Sequence, residues 1–79
     1  MAKGAKTKAS AADGVYRVID VVGSSGVSWE EAARNAVETA SQSLRDLRIA
    51  EVTRLDVRVD NGKVVAFRAR VQLSFKYEA

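Results

Sequence analysis

The 79-residue sequence contains no cysteine and no histidine. Without cysteine, neither a disulfide nor a thiolate metal site can stabilise the fold. Without histidine, the sequence lacks the commonest general base and the commonest metal ligand of proteins. No serine–base arrangement compensates for these absences, so we expect a protein that is not an enzyme.

The sequence also lacks a long apolar run and a large net charge. No run approaches the ~20 apolar residues of a membrane span, and no apolar segment follows the N-terminal lysines as in a secretory signal. Three lysines against one aspartate in residues 1–14 supply +2 of the net charge of +3. The excess left in the remaining chain is too small to predict a nucleic-acid binder. We expect a soluble, cytoplasmic protein that has neither membrane nor nucleic acid as a partner.

The chain divides into a short tail and one domain. Residues 1–14 are rich in Ala, Lys, Gly, Ser and Thr, which predicts a disordered basic tail; a nucleic-acid-binding arm is the alternative. Residues 15–79 form the single domain. A domain of this size buries only about 60% of its unfolded surface, so one copy alone is marginally stable.

The most regular stretch runs from Val64 to Tyr77 and alternates between apolar and polar side chains. Because side chains of a strand alternate with period two, it predicts a long strand with one apolar and one cationic face. The cationic face carries Arg68 and Arg70.

Three further elements are predicted before this strand. The β-branched run Val15–Val22 predicts a strand that ends in a turn over residues 23–26. A capping box at Ser28 predicts the start of a helix of about 19 residues, on which Trp29 begins the apolar stripe. We expect Trp29 to pack against the sheet, ligand stacking being the alternative. Residues Ile49–Val59 predict the second strand.

The hairpin around Asn61-Gly62 is open to two registers. A two-residue type I′ turn places charged residues of the second strand beside the apolar face of the third. A three-residue loop with a bulge instead pairs Val57 with Val65 and Leu55 with Phe67. Because register follows the buried face, we predict the three-residue loop.

This register places Arg54 opposite Arg68, with Arg58 and Arg70 nearby. Like charges directly opposite each other destabilise a strand pair. Two kinds of compensation remain open: a local ion pair with Asp56 or Asp20, or a bound anionic ligand.

The predicted order is strand, helix, strand, strand. A right-handed crossover places the third strand between the other two, with all neighbours antiparallel. The third strand outruns the helix by roughly 17 Å at the usual rises per residue, which leaves Leu73, Phe75 and Tyr77 without cover. Uncovered apolar residues and a free sheet edge predict a symmetric oligomer.

Four segments together resemble the dodecin family: YRVIDVVGSS, SWEEAARNAVETA, SLRDLRIAEV and RVQLSFKYE, which lie in order within residues 15–78. The resemblance implies an α+β subunit with a β-α-β-β order and a three-stranded antiparallel sheet packed on one helix. It further implies that twelve copies close into a hollow cytoplasmic sphere, a homododecamer that binds and stores a small molecule, typically a flavin.

The resemblance is incomplete at the flavin site. Flavin-binding dodecins have a Trp that stacks on the flavin at the position of Ile49 and a Gln that hydrogen-bonds the ring at the position of Arg68. Both contacts are missing, as in a Trp-lacking branch whose members include the so-called calcium dodecins. Asp20, Glu51 and Asp56 form no Asp-rich loop, so we predict no metal site.

We therefore predict a dodecin-like shell that has lost the usual flavin site and binds another anionic ligand. The resemblance is compatible with two kinds of ligand, FMN or another phosphorylated small molecule, and does not decide between them. An intact flavin store and a purely structural shell are the alternatives. The predicted ligand-binding residues are Ile49, Arg54, Arg68 and Arg70.

Overall fold

The computed structural model describes residues 14–76. It contains the strands β1 (Tyr16–Ser25), β2 (Leu47–Asp60) and β3 (Lys63–Lys76), and the helix α1 (Trp29–Ser41) between β1 and β2. The predicted β-α-β-β order is confirmed. Apart from Gly14, the predicted basic tail lies outside the described residues, as does Tyr77. Within residues 14–76 the structure has no helix that could span a bilayer.

The three strands form one antiparallel sheet in the order β1-β3-β2. β3 is therefore the central strand, as the right-handed crossover predicts. Val71 in its middle pairs with Val21 of β1 on one side and with Val52 of β2 on the other. Both outer strands leave one edge without a partner in the described sheet.

α1 packs on β1 and β3 and contacts β2 far less. The core consists of small or branched side chains from α1 and β3: Ala32, Ala36, Ala69, Val71 and Leu73. The alanines of the helix allow its backbone to lie close to the sheet. The approach is close at Gly23 of β1, where an added Cβ atom would collide with the carbonyl oxygen of Ala32.

The helix begins where the capping box predicts and ends earlier. Ser28 Oγ accepts the backbone N–H of Glu31 at 3.0 Å. The predicted turn after Val22 was wrong, because β1 continues to Ser25. The predicted length was also wrong, because α1 has 13 residues and stops at Ser41. At this end the N–H groups of Gln42 and Ser43 bond carbonyls three residues back, Thr39 and Ala40, so the last turn tightens.

The early end of α1 changes which apolar residues are covered. Leu44 and Leu47 follow the helix and pack against the core cluster. Leu73 is consequently fully buried, and the guanidinium of Arg17 lies 5.8 Å from the ring centroid of half-buried Phe75. The prediction that the end of β3 lacks cover was therefore wrong for Leu73.

The β2–β3 hairpin combines features of both registers considered above. Asn61 and Gly62 have φ angles of 53° and 75°, as a two-residue type I′ turn requires, and Asp60 pairs with Lys63. The predicted three-residue loop was wrong. A register shift follows at once, because Val59 pairs with Val64 and Arg58 with Ala66, which leaves Val65 without a partner on β2.

This bulge at Val65 achieves what the longer loop was predicted to do. Without it, the two-residue turn would set charged residues of β2 on the helix side of the sheet. With it, Val57 pairs with Phe67 and Leu55 with Ala69, so apolar side chains share one face.

Candidate ligand-binding face

The sheet face that points away from α1, here called the polar face, carries most of the charged side chains of the strands. Residues paired across antiparallel strands share a face, so the pairings with β3 define rows across it. Three consecutive rows, each from β1 through β3 to β2, are Ser24–Arg68–Asp56, Val22–Arg70–Arg54 and Asp20–Gln72–Glu51.

Arg68 is held by Asp56 in a two-pronged ion pair. Its Nε donates to Oδ1 at 2.7 Å and its Nη2 to Oδ2 at 2.9 Å. The hydrogen bond from Arg68 holds the pKa of the Asp56 carboxyl below its ordinary value. Desolvation opposes this shift, and the charges of Arg68 and Arg70 add to it. The predicted pairing of Arg54 with Arg68 was wrong, whereas the predicted local ion pair with Asp56 is confirmed.

The like-charge pair lies one row further along, where Arg54 is opposite Arg70. Both residues are exposed. In the described part of the chain, neither guanidinium forms an ion pair. Thr53 has no directly paired residue on β3. Its hydroxyl donates a hydrogen bond to the carbonyl oxygen of Arg70 at 3.2 Å. The two arginines therefore meet beside a second bulge, a feature that commonly redirects side chains.

The structure does not bring Ile49 to this pair. Ile49 is exposed on the polar face and pairs with Ser74, four residues along β3 from Arg70. At ~3.3 Å per residue, the two rows are roughly 13 Å apart. The row of Asp20, Gln72 and Glu51 lies between them. Of the predicted ligand-binding residues, Arg54, Arg68 and Arg70 cluster, and Ile49 lies apart.

Trp29 lies on the opposite side of the sheet and has a structural role, as predicted. Its Nε1 donates to the backbone carbonyl oxygen of Asp56 at 2.9 Å. Its ring meets that of Phe67 edge-on, with centroids 5.1 Å apart. The side chain thereby fixes the backbone of β2 at the residue whose carboxylate holds Arg68. This link escaped prediction because the two residues are 27 positions apart.

The acidic side chains of the described strands are spread out. Within residues 14–76, no group of three or more His, Cys, Asp or Glu side chains could hold a metal ion. Asp20 and Glu51 lie on either side of Gln72, separated by the width of the central strand. A single chain therefore provides no enclosed cation site in its described part.

Besides exposed apolar side chains on β1 and at the start of β3, the structure leaves apolar residues uncovered on the helix side of β2. Val52 and Leu55 pair with buried Val71 and Ala69 and hence face the helix side of the sheet. They are nevertheless 47% and 53% exposed, because α1 lies over β1 and β3. Apolar side chains that face a core but remain exposed mark an interface.

This subunit matches a known family in both sequence and fold. The dodecin family pattern covers residues 15–78 of the chain. The chain belongs to the dodecin family. It is 44% identical over 62 residues to calcium dodecin of Mycobacterium tuberculosis, an alignment that covers 78% of this chain and 87% of that protein.

Solved dodecins have the same subunit fold. The structure of dodecin from Streptomyces coelicolor superposes with a TM-score of 0.77 at 40% identity, covering 82% of this chain and 93% of that one. The crystal structure of Mycobacterium tuberculosis calcium dodecin gives 0.73 at 42% identity, covering 81% and 91%. That protein is described as calcium chelating, with a novel calcium-binding site.

Proposed function

We propose that this dodecin is a cytoplasmic binding and storage protein, not an enzyme, that works as a hollow assembly of twelve copies. Its ligand is a small anion rather than a flavin ring. The assembly is supported by the exposed apolar residues Val52 and Leu55, which the subunit's own helix does not cover. The choice of ligand is supported by the arrangement of three arginines on the polar face.

The observation that carries the choice of ligand is the state of Arg68. In flavin-binding dodecins a Gln at this position hydrogen-bonds the flavin ring. Here Arg68 instead binds the Asp56 carboxylate through Nε and Nη2. Ile49, at the position of the stacking Trp, offers no aromatic ring. The polar face therefore has an excess of positive charge and lacks both contacts to the flavin ring.

We expect the assembled protein to leave the fluorescence of flavin mononucleotide unquenched at micromolar concentrations. Stacking of a base on an aromatic side chain contributes about 1–3 kcal/mol, and Ile49 supplies none of it. The double variant Ile49→Trp/Arg68→Gln restores both contacts and should quench the flavin. The measurement is a fluorescence titration of both proteins. Stoichiometric quenching by the unmodified protein would show that another residue maintains a flavin site.

Calcium binding is the second candidate function, favoured by the 44% identity to a protein named calcium dodecin. Isothermal titration of the calcium-free protein with calcium chloride tests it. We expect no saturable heat of calcium binding. A stoichiometric site that is lost in both Asp20→Asn and Glu51→Gln variants would replace the anion proposal, because these carboxylates flank Gln72 on the polar face.

A further inference from the structure

We propose that Arg54 and Arg70, together with Arg68, form a binding site for a doubly charged oxyanion such as a phosphate group. This inference rests on the proposed function and names the class of its ligand. It is carried by the juxtaposition of two exposed guanidinium groups across neighbouring strands, with no carboxylate partner in residues 14–76.

The geometry of the pair fits a tetrahedral anion. Cβ atoms of residues directly opposite in an antiparallel pair are about 5 Å apart, so the Arg54 and Arg70 guanidinium groups can converge on one ligand. Each guanidinium presents parallel N–H donors that match the oxygens of phosphate. The hydrogen bond from Thr53 to the Arg70 carbonyl fixes the local backbone beneath the pair.

The charge of the cluster selects the ligand class. In the two rows that hold the arginines, three guanidinium groups and the carboxylate of Asp56 leave a charge of +2, while Asp20 and Glu51 lie in the next row, on either side of Gln72. A dianion neutralises this charge, whereas a monocarboxylate leaves half of it uncompensated. The Asp56 carboxylate already accepts the hydrogen bonds of Arg68 Nε and Nη2. It therefore competes with the ligand for Arg68, and the ligand binds mainly to Arg54 and Arg70.

The neighbouring side chains indicate that the site recognises charge rather than an aromatic ring. Around the pair on the polar face, Val22 lies in the same row, Ser24 lies in the row of Arg68, and the row on the other side holds Asp20, Gln72 and Glu51. None of these residues is aromatic. The phosphate group is therefore the part of a ligand that this site binds.

The test is isothermal titration of the assembled protein with inorganic phosphate at low salt, with sedimentation of the same samples. We expect saturable binding that weakens about tenfold in Arg54→Gln and in Arg70→Gln, because each variant removes one charge-assisted contact. Arg34→Gln is the matched control, since Arg34 is exposed on α1.

Two further titrations test the charge of the site. Asp56→Asn frees Arg68 from its ion pair and should tighten phosphate binding. Acetate should bind the unmodified protein at least about tenfold more weakly than phosphate.

Three results would overturn the inference while leaving the assembly in place. They are an assembled protein that binds no phosphate, an Arg34→Gln variant that loses as much affinity as Arg70→Gln, and equal affinity for acetate. If Arg54→Gln and Arg70→Gln sediment as single chains, the arginines instead pair with carboxylates of neighbouring copies, which also overturns it. Sedimentation of the unmodified protein as a single chain refutes the proposed function instead, whatever the phosphate result.

Discussion

Gly23→Ala is expected to lower the free energy of unfolding by about 3 kcal/mol, at the upper end of the range for overpacked cores. The added Cβ would lie 2.0 Å from the backbone oxygen of Ala32 and 2.9 Å from the Cβ of Ala36. Neither atom is the end of a flexible side chain, so the whole helix must move away from the sheet. That movement opens the contact between α1 and β1 on which the core depends.

The effect is measured as the shift of the urea unfolding midpoint, at one protein concentration because assembly couples to folding. Gly26→Ala is the matched control. An added Cβ at Gly26 meets nothing within 4 Å, so a change within about 0.5 kcal/mol is expected there. An unchanged midpoint in Gly23→Ala would mean that α1 does not lie as close to β1 as described.

Gly23 also illustrates a limit of prediction from sequence. Its segment, GSSG, predicts a turn, because glycine and serine commonly end strands. The alanines of α1 correctly predict close packing on the sheet, but nothing in the local sequence says which strand residue lies beneath them. A glycine required for close approach and a glycine required for a turn are the same residue type. Only the tertiary contact with Ala32 and Ala36 separates the two roles.

The hairpin shows a second limit. Asn61-Gly62 correctly favours a type I′ turn, and the alternation of β3 correctly requires Phe67 and Ala69 on the buried face. These two requirements conflict for uninterrupted strands, and a three-residue loop would reconcile them. The protein keeps the short turn and places one extra residue, Val65, in β3. The bulge leaves no mark in the sequence. Val64 and Val65 are both β-branched residues that favour a strand, so neither of them signals the extra residue.

The candidate site depends on these bulges, which is why only part of it could be predicted. The cationic face of β3 follows directly from the period of two. The partner of each arginine depends on the register of β2, where one shift at Val65 pairs Arg68 with Asp56 and moves the like-charge pair to Arg54 and Arg70. The sequence thus predicts the residue types on the polar face correctly, and Asp56 as one of two possible ion-pair partners, but it predicts the cross-strand pairs of the arginines incorrectly.

Leu55→Asp is expected to separate the assembly into single chains. Leu55 pairs with buried Ala69 and faces the helix side of the sheet, yet it is 53% exposed. Together with Val52 it gives β2 an apolar surface that α1 leaves open. In the proposed assembly a neighbouring copy covers this surface. A carboxylate buried there would lose its hydration without gaining a hydrogen-bond partner. This desolvation costs several kcal/mol of association free energy for each copy in the assembly.

Native mass spectrometry at about 10 µM measures the effect, a concentration well above the Kd of a nanomolar association. Twelve chains of 8.5 kDa give about 100 kDa for the unmodified protein. The Leu55→Asp variant should appear at the mass of one chain or be recovered unfolded, because a lone subunit of this size is marginal. Val27→Asp is the control, since Val27 is 71% exposed in the loop before α1 and is not part of the β2 surface. An assembled Leu55→Asp protein would show that copies meet through another surface, and a folded unmodified monomer would show that the open face of β2 needs no cover.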